Sequence, residues 1–328
     1  MRDFTKLVRR ALTPAALRRY GMVIVLVLLV AASQAIYPAF LDPMNVRNIL
    51  SQNAPVGIVA VGMTLVMITQ GFDLSVGSVY AGGATLFAGL TVVGWSLLPA
   101  AATTIAVGLL AGLCNGLIVT KLRVNPFVAT LGTMSAFAGL ALIYSKSQPI
   151  IVTDEAFTVL GRGYYFGVPI AIWILLAFLI GGEVVLSKTV YGRQLYAIGG
   201  NDEAARLAGL RTELLRASTY VVCSGCSVIA GMIIASRLAL GQADIGATMA
   251  LDSIAVVVIG GTSLLGGEGA IWQTAIGLLI VSALKNVLDS LAVDTNYQLL
   301  IKGIIVIVAV AIDAKVSTRR QYSVARRR

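Results

Sequence analysis

The stretch ITQGFDLSVGS, residues 68–78, sets an amide, a carboxylate and three hydroxyls between two strongly apolar runs. Such groups can hold a proton, contact a solute or cap a helix. The chain contains no histidine, which excludes Ser-His-Asp and Cys-His catalysis and removes the commonest metal ligand. Cys223 and Cys226 form a C-x-x-C pair inside an apolar segment, so we expect packing residues of a helix rather than a redox pair. We predict no catalytic residue and no metal or cofactor site on this chain.

The composition is typical of a polytopic membrane protein. Of 328 residues, 58% are hydrophobic and only 12% are charged, with a mean hydropathy of +0.89; a soluble domain carries about 25% charged residues. The predicted fold is therefore all-α, with about ten transmembrane helices, some of them short or broken. A span needs about 20 apolar residues, and such stretches fall at 20–39, 54–70, 75–94, 97–119, 125–145, 168–187, 214–236, 249–262, 270–291 and 297–313.

Lysine and arginine predict the orientation. With a cytoplasmic N-terminus, nineteen of them fall on the inner segments and four on the outer ones, which favours N-in and C-in. The chain then divides into a basic cytoplasmic segment 1–19, a transmembrane domain 20–313 and a basic cytoplasmic tail 314–328. The net charge of +10 follows from this asymmetry and gives no reason to expect nucleic acid as a partner. We expect the termini to lie against anionic membrane lipid or to be solvated tails.

Asp73 needs an explanation in such a chain, because a carboxylate at the middle of the bilayer costs at least about 2.5 kcal/mol. Irregular backbone at that depth is stable only where protein or a water-filled cavity covers it. Three roles stay open for Asp73: a cap that accepts hydrogen bonds from the first N–H groups of the 75–94 span, part of a solute pathway or gate, or a subunit contact. Residues 255–270 repeat the layout of an apolar run followed by a glycine-rich turn, which marks either a pathway or close helix packing.

The inner loop 188–213 carries the pattern of a short helix. Asn201 can cap it, Asp202 and Glu203 then occupy the first turn, and Gly209 loosens its end. We expect two to three turns. The apolar positions of this helix are small and suit close approach by another protein, although packing on the chain's own membrane domain is the alternative: 204, 205, 207, 208 and 210.

Four segments together resemble one family. They are GMTLVMITQGFDLSVGS (62–78), NPFVATLGTMSAFAGLALI (125–143), GRQLYAIGGNDEAARLAGL (192–210) and LDSIAVVVIGGTSLLGGEGAIWQTAIG (251–277). In this order they resemble the ribose-type sugar permeases of bacterial ATP-binding-cassette (ABC) importers, and the resemblance covers roughly 45–313. It implies a subunit of the bacterial inner (plasma) membrane that works beside a second permease subunit, as a homo- or heterodimer. It also implies an ABC ATPase subunit inside and a periplasmic or lipid-anchored substrate-binding protein outside.

The resemblance assigns roles to particular residues. Those expected to couple this chain to the ATPase are Gly199, Asn201, Glu203, Ala204, Ala205, Arg206 and Gly209. Those expected at the translocation pathway or a gate are Gln70, Phe72, Asp73, Ser75, Asn125 and Thr130. Asn125 is also expected to cap the helix that Pro126 opens. The sequence has no G-x-x-x-x-G-K-[ST] loop, so ATP and Mg are expected on the partner ATPase and the chain itself needs no cofactor.

Two other functions remain open at this point. One is an ABC permease for branched-chain amino acids or another small polar solute. The other is an ion-coupled secondary transporter, which needs ionisable groups within its spans. Lys302 lies within the last span, where we expect it to extend toward the interface or to pair with Asp289 or Asp294.

Overall fold

The computed structural model describes the backbone of residues 14–325 and the side chains of residues 21–308, 310 and 311. Parts of the predicted basic termini, residues 1–13 and 326–328, lie outside the described residues. Over the described backbone the chain forms thirteen α-helices: α1 (Pro14–Ile36), α2 (Pro43–Ile68), α3 (Val76–Val92), α4 (Leu97–Thr120), α5 (Pro126–Ser145), α6 (Val159–Arg162), α7 (Ile170–Lys188), α8 (Val190–Gly200), α9 (Asp202–Leu207), α10 (Thr212–Leu238), α11 (Met249–Ile259), α12 (Ile271–Ser290) and α13 (Thr295–Ala325). A 3₁₀ turn (Glu155–Thr158) precedes α6.

Ten apolar helices coincide with the ten predicted spans. Within the described residues, α2, α4, α5, α7, α10 and α12 are long and apolar enough to cross a membrane, and α1, α3, α11 and α13 contain shorter apolar stretches. The largest differences are at α2, which starts eleven residues earlier than predicted, and at α13, which continues to Ala325. The early start of α2 has a local cause, because Asp42 accepts a hydrogen bond from the Met44 N–H and Pro43 takes the first helical position. The predicted all-α polytopic fold is confirmed.

Helix α10 lies at the centre of the bundle and packs against α2, α3 and α4. Glycines allow these close contacts: a Cβ at Gly62 would lie 2.6 Å from the Cα of Cys223, and a Cβ at Gly112 would lie 2.5 Å from the carbonyl oxygen of Tyr220. Cys223 and Cys226 are both buried and free. Their predicted role as small packing residues is confirmed.

Four short strands tie together one end of the bundle. Strand β1 (Ile150–Ile151) pairs antiparallel with β4 (Leu240–Gly241), and β2 (Tyr164–Tyr165) pairs with β3 (Val168–Pro169). The β1–β4 pair fastens the predicted outer connection to the end of α10, and a side-chain bond from Arg162 to the Arg237 carbonyl does the same. The predicted inner connections meet at the opposite end, as described below. Which end faces the cytoplasm stays a prediction.

Helix α11 has eleven residues and is about 16 Å long, half of the roughly 30 Å hydrocarbon core. The chain reaches its start through turns that run back along α3: Gly241 lies beside Ala84 and Ala88, and Gly246 lies against Gly77. Helix α11 therefore begins inside the bundle. The expectation that some of the spans are short is confirmed.

Candidate functional site

Residues 188–213, called the coupling segment below, contain two helices rather than the one that the sequence predicted. Helix α8 was missed, although its apolar residues Tyr191, Leu195 and Ile198 recur at helical spacing. The side chains of Tyr191 and Leu195 pack in one cluster with residues of α2, α7 and α12: Val61, Leu65, Ile68, Leu186 and Ile271. Ile198 is also fully buried. Helix α8 is thus attached along its length to the membrane-spanning bundle.

Helix α9 forms where the capping pattern predicted it. The side chain of Asn201 accepts a hydrogen bond from the Ala204 N–H at 2.9 Å, and Asp202 and Glu203 occupy the first turn. The helix has six residues, so the prediction of two to three turns was wrong. It ends early because Gly209 adopts a left-handed φ of +85°, with its N–H bonded to the Arg206 carbonyl and the N–H of Leu210 bonded to the Ala205 carbonyl.

The predicted coupling residues divide into an exposed set and a buried set. Asn201, Glu203, Ala204, Arg206 and Gly209 are exposed, whereas Gly199 and Ala205 are buried against the chain itself. Leu207, one of the apolar positions that the sequence suggested for close approach by another protein, is 80% exposed at the end of α9. An apolar side chain this exposed beside a capped helix is a candidate anchor for a partner protein.

Gly199 lies where the coupling segment meets two turns of the bundle. A Cβ at this position would overlap the carbonyl oxygen of Ile68 and the amide nitrogen of Gly267. The Gly199 carbonyl accepts a hydrogen bond from the side chain of Gln70 at 2.9 Å. The Tyr196 hydroxyl donates to the Gly269 carbonyl at 2.6 Å. The end of α8 therefore contacts both the 69–75 turn and the 260–270 turn.

Those two turns also touch each other. The Gly267 N–H donates to the Ile68 carbonyl at 2.9 Å. Each turn joins two helices of the bundle, α2 to α3 and α11 to α12. A displacement of α8 would consequently reach four apolar helices through one junction.

Ion pairs fix the remaining inner connections. The Arg216 guanidinium lies 3.2 Å from the Asp202 carboxylate, and the Lys121 ammonium lies 2.8 Å from the Glu213 carboxylate. These pairs join α9 and the 121–125 connection to the first turns of α10. All are partly exposed, so each contributes little stability alone, but together they hold the inner end in one arrangement.

Asp73 is fully buried, and one of its oxygens accepts from both the N–H (2.9 Å) and the hydroxyl (2.6 Å) of Ser75. The Ser75 N–H is the first N–H of the predicted 75–94 span and donates to Asp73 as expected. Helix α3 itself begins at Val76 with Ser75 as its N-cap, so the Asp73 bonds close the turn just ahead of the helix. Asn115 of α4, which sequence reasoning missed, donates to the Ser75 hydroxyl at 2.7 Å. The second carboxylate oxygen of Asp73 has no hydrogen-bond partner among the described residues.

The other predicted pathway residues fall into different places. Phe72 directly precedes Asp73, and its carbonyl oxygen is 3.5 Å from the Thr130 hydroxyl. Phe72 and Thr130 therefore both lie beside Asp73. Gln70 belongs to the contact between the coupling segment and the 69–75 turn. Asn125 is exposed and accepts a hydrogen bond from the Phe127 N–H, which confirms its capping role. Because Asp73, Ser75 and Thr130 are buried, they hold the 69–75 turn in this conformation. A role in the pathway stays a prediction for them.

Lys302 pairs with a residue that the sequence did not suggest. Its ammonium lies 2.5 Å from the Asp252 carboxylate, while Asp289 accepts instead from the Gln298 amide. The expected partners Asp289 and Asp294 were wrong because α13 packs on α11, which brings Lys302 to Asp252 and leaves the other two carboxylates at the α12–α13 turn.

Comparison with known proteins gives consistent matches. The model of the family described as "Branched-chain amino acid transport system / permease component" matches residues 45–310. The ribose import permease protein RbsC of Bacillus subtilis (strain 168) is 42% identical over 92% of this chain and 94% of its own length. RbsC of Escherichia coli (strain K12) is 38% identical over 94% and 97% of the two chains. The L-arabinose ABC transporter permease protein AraH of Azospirillum brasilense is 34% identical over 90% and 88%. No solved structure matches the chain.

Proposed function

The chain belongs to the branched-chain amino acid transport system permease component family, and from that premise we propose that it imports a sugar or sugar-like solute as the transmembrane subunit of an ABC importer. The observation that carries the choice of solute is the set of relatives. Ribose and L-arabinose permeases align over about nine-tenths of this chain at 34–42% identity. They favour a sugar over the branched-chain amino acid of the family's description and over an ion-coupled transporter.

The energy source in this proposal is a separate ABC ATPase, which carries ATP and Mg. The sequence has no phosphate-binding loop of its own. The exposed side of α9, with Ala204, Arg206 and Leu207, is the proposed contact for that ATPase. Contacts of this kind explain why a loop between two spans carries a capped helix at its tip.

The proposed mechanism moves rigid elements. Closure of the ATPase pair pushes α9, and α8 transmits the movement through Gly199 to the 69–75 and 260–270 turns. The helices joined by those turns then shift against a second permease subunit, which opens the pathway between the two subunits to alternate sides. A substrate-binding protein delivers solute at the opposite end of the bundle, where the β-paired 146–169 connection lies. In this arrangement the coupling segment faces the cytoplasm of a bacterial inner (plasma) membrane.

Reconstitution tests this function. Liposomes containing the permease, its partner ATPase and its substrate-binding protein are supplied with radiolabelled D-ribose, L-arabinose or L-leucine. We expect uptake of a sugar that requires both ATP and the binding protein. Liposomes with the permease alone, under a proton or sodium gradient, serve as the control.

The contrary outcomes identify the rivals. ATP-dependent uptake of leucine without uptake of sugar would establish an amino-acid permease. Uptake by the permease alone under an ion gradient would establish a secondary transporter.

A further inference from the structure

The chain between strand β4 and helix α11, residues 242–248, runs as turns inside the bundle and is called the re-entrant segment below. It lies against α3 at two levels. A Cβ at Gly241 would lie 2.6 Å from the Ala84 carbonyl oxygen, and one at Gly246 would overlap the Gly77 carbonyl. Ala84 and Gly77 are about two helical turns, or about 10 Å, apart on α3. The segment therefore descends about 10 Å from the end that the β-pairs fasten.

A contact with the last helix also places this part of the chain inside the bundle. The Lys302 ammonium pairs with the carboxylate of Asp252, in the first turn of α11. Lys302 is about two turns from the start of α13 at Thr295, which again corresponds to about 10 Å. The re-entrant segment and the start of α11 thus lie at the depth of the roughly 30 Å hydrocarbon core.

Part of the re-entrant segment is nevertheless exposed on the single chain. Asp244, Ala247 and Thr248 are exposed, and Gln242 is partly exposed. The Asp244 carboxylate forms no ion pair with any residue whose side chain the structure describes. Irregular backbone and unpaired carboxylates are excluded from hydrocarbon, because they find no hydrogen-bond partner there. The segment therefore faces either water or a second protein chain.

A water-filled space accounts for the exposed groups better than a dry contact with a second subunit. In a dry contact the Asp244 carboxylate would be buried without a partner, which is strongly unfavourable. Lys302, the cation that α13 holds at this depth, is already paired with Asp252. Water keeps Asp244 hydrated and leaves that ion pair intact.

The residues that the sequence suggested for the pathway do not offer such a surface. Asp73, Ser75 and Thr130 are buried and hold the 69–75 turn. The re-entrant segment, by contrast, carries a carboxylate and a hydroxyl that are exposed on the chain. It therefore supplies, at membrane depth, the polar surface that a solute pathway requires.

We propose that the re-entrant segment lines the water-filled pathway between the two permease subunits and that Asp244 and Thr248 contact the solute as it passes. This inference rests on the proposed function. A carboxylate accepts hydrogen bonds, and a hydroxyl both donates and accepts them. The two side chains thus replace part of the solute's hydration shell without forming an enclosed site.

Helix α11 connects this surface to the coupling segment. It starts directly after the re-entrant segment and ends at the 260–270 turn, which contacts Gly199 and Tyr196 of α8. The ion pair between Asp252 and Lys302 joins the first turn of α11 to α13. In the proposed mechanism, a movement of α8 therefore reaches the pathway wall along about 16 Å of rigid helix.

Cysteine accessibility tests the position of the segment. Asp244→Cys and Thr248→Cys are each placed in a Cys114→Ala background, because Cys223 and Cys226 are buried whereas Cys114 is exposed. The reagent is (2-sulfonatoethyl)methanethiosulfonate, an anion that does not enter lipid. It is applied to the complete importer in nanodiscs, where both faces are open to solvent. We expect both cysteines to be modified.

Leu110→Cys in the same background is the matched control. Leu110 is exposed at the middle of α4, where apolar neighbours predict contact with lipid, so this cysteine should stay unmodified. Cysteines at 244 and 248 that react no faster than the one at 110 would overturn the inference. So would a disulfide between the 244 positions of two subunits without any reaction with the reagent, because that result marks a dry contact.

Blocking the segment separates a pathway wall from any other hydrated surface. Ala247→Cys removes no polar group, so we expect its unmodified importer to transport normally. Modification then adds a sulfonate-bearing group to a protein that is already folded. We expect uptake to fall at least tenfold with the ATPase still bound, and dithiothreitol to restore it. Full uptake after complete modification would show that the segment lies outside the pathway.

These measurements separate the inference from the proposed function, since accessibility is read without a known solute. If the cysteine at 244 reacts but the wild-type importer takes up no sugar, the proposed function fails and the hydrated surface stands. If the wild type imports a sugar and the cysteines at 244 and 248 do not react, the inference fails alone.

Discussion

At the scale of single residues, Asp73 shows how a carboxylate is kept within an apolar bundle. It lies in the turn just before α3, where one of its oxygens accepts both bonds from Ser75, and the Ser75 hydroxyl in turn accepts a bond from Asn115. The arrangement joins the 69–75 turn to α4 through three side chains. Sequence alone singled out Asp73 and Ser75, because they interrupt an apolar run. Asn115 could not be predicted, since its part depends on α4 packing beside a turn forty residues earlier in the chain.

Replacing Asp73 tests whether it holds this turn. Asp73→Ala removes two buried hydrogen bonds, and we expect it to destabilise the purified permease by about 2–4 kcal/mol. Asp73→Asn keeps an acceptor oxygen and should lose less. Thermal unfolding in detergent, monitored by size-exclusion chromatography, measures both. An alanine variant as stable as the wild type would show that these bonds contribute nothing to the fold.

The transport activity of the same variants separates the remaining roles of Asp73. If Asp73→Asn remains folded and binds the ATPase yet imports solute slowly, the carboxylate acts in a gate. If stability and uptake fall together, its role is to hold the turn.

At the scale of elements, the hydropathy pattern located all ten apolar helices, and capping chemistry located α9. The sequence analysis did not predict helix α8. It lies between a predicted span and a predicted short helix, and its residues were assigned to the connecting loop. The length of α9 was overestimated because alanine and leucine continue to residue 210, while the left-handed Gly209 ends the helix first. The junction at Gly199 depends on contacts between distant segments, which local patterns do not contain.

Helix α9 also carries the prediction about docking. Leu207→Arg replaces an exposed leucine with a charge, and burying a leucine contributes about 1.5–3 kcal/mol. We therefore expect the affinity for the ATPase to fall at least tenfold, with an unchanged yield of folded permease. Binding of purified ATPase to immobilised permease measures the effect.

The matched control is Val159→Arg, which places the same charge at an exposed apolar position on the opposite end. It should leave ATPase binding unaltered. Equal affinity of the Leu207 variant and the wild type would exclude Leu207 from the interface.

At the scale of the whole molecule, the bundle has two structurally different ends. One is fastened by short β-pairs and connects to α10. The other gathers the coupling segment and two glycine-containing turns at one junction. Between them lie the short helix α11 and the ion pair that joins it to α13. In the proposed mechanism, this arrangement lets a movement of the coupling segment change the bundle without unfolding a helix.

Gly199 and its neighbour Gly200 offer a paired measurement of that transmission. A methyl group at Gly199 would overlap the backbone of both turns, whereas one at Gly200 would meet open space. The quantity to compare is the number of sugar molecules imported per ATP hydrolysed in proteoliposomes of the complete importer. We expect Gly199→Ala to retain the bound ATPase and its hydrolysis but to lower this ratio at least tenfold, while Gly200→Ala keeps the wild-type ratio. A wild-type ratio from Gly199→Ala would contradict transmission through this junction.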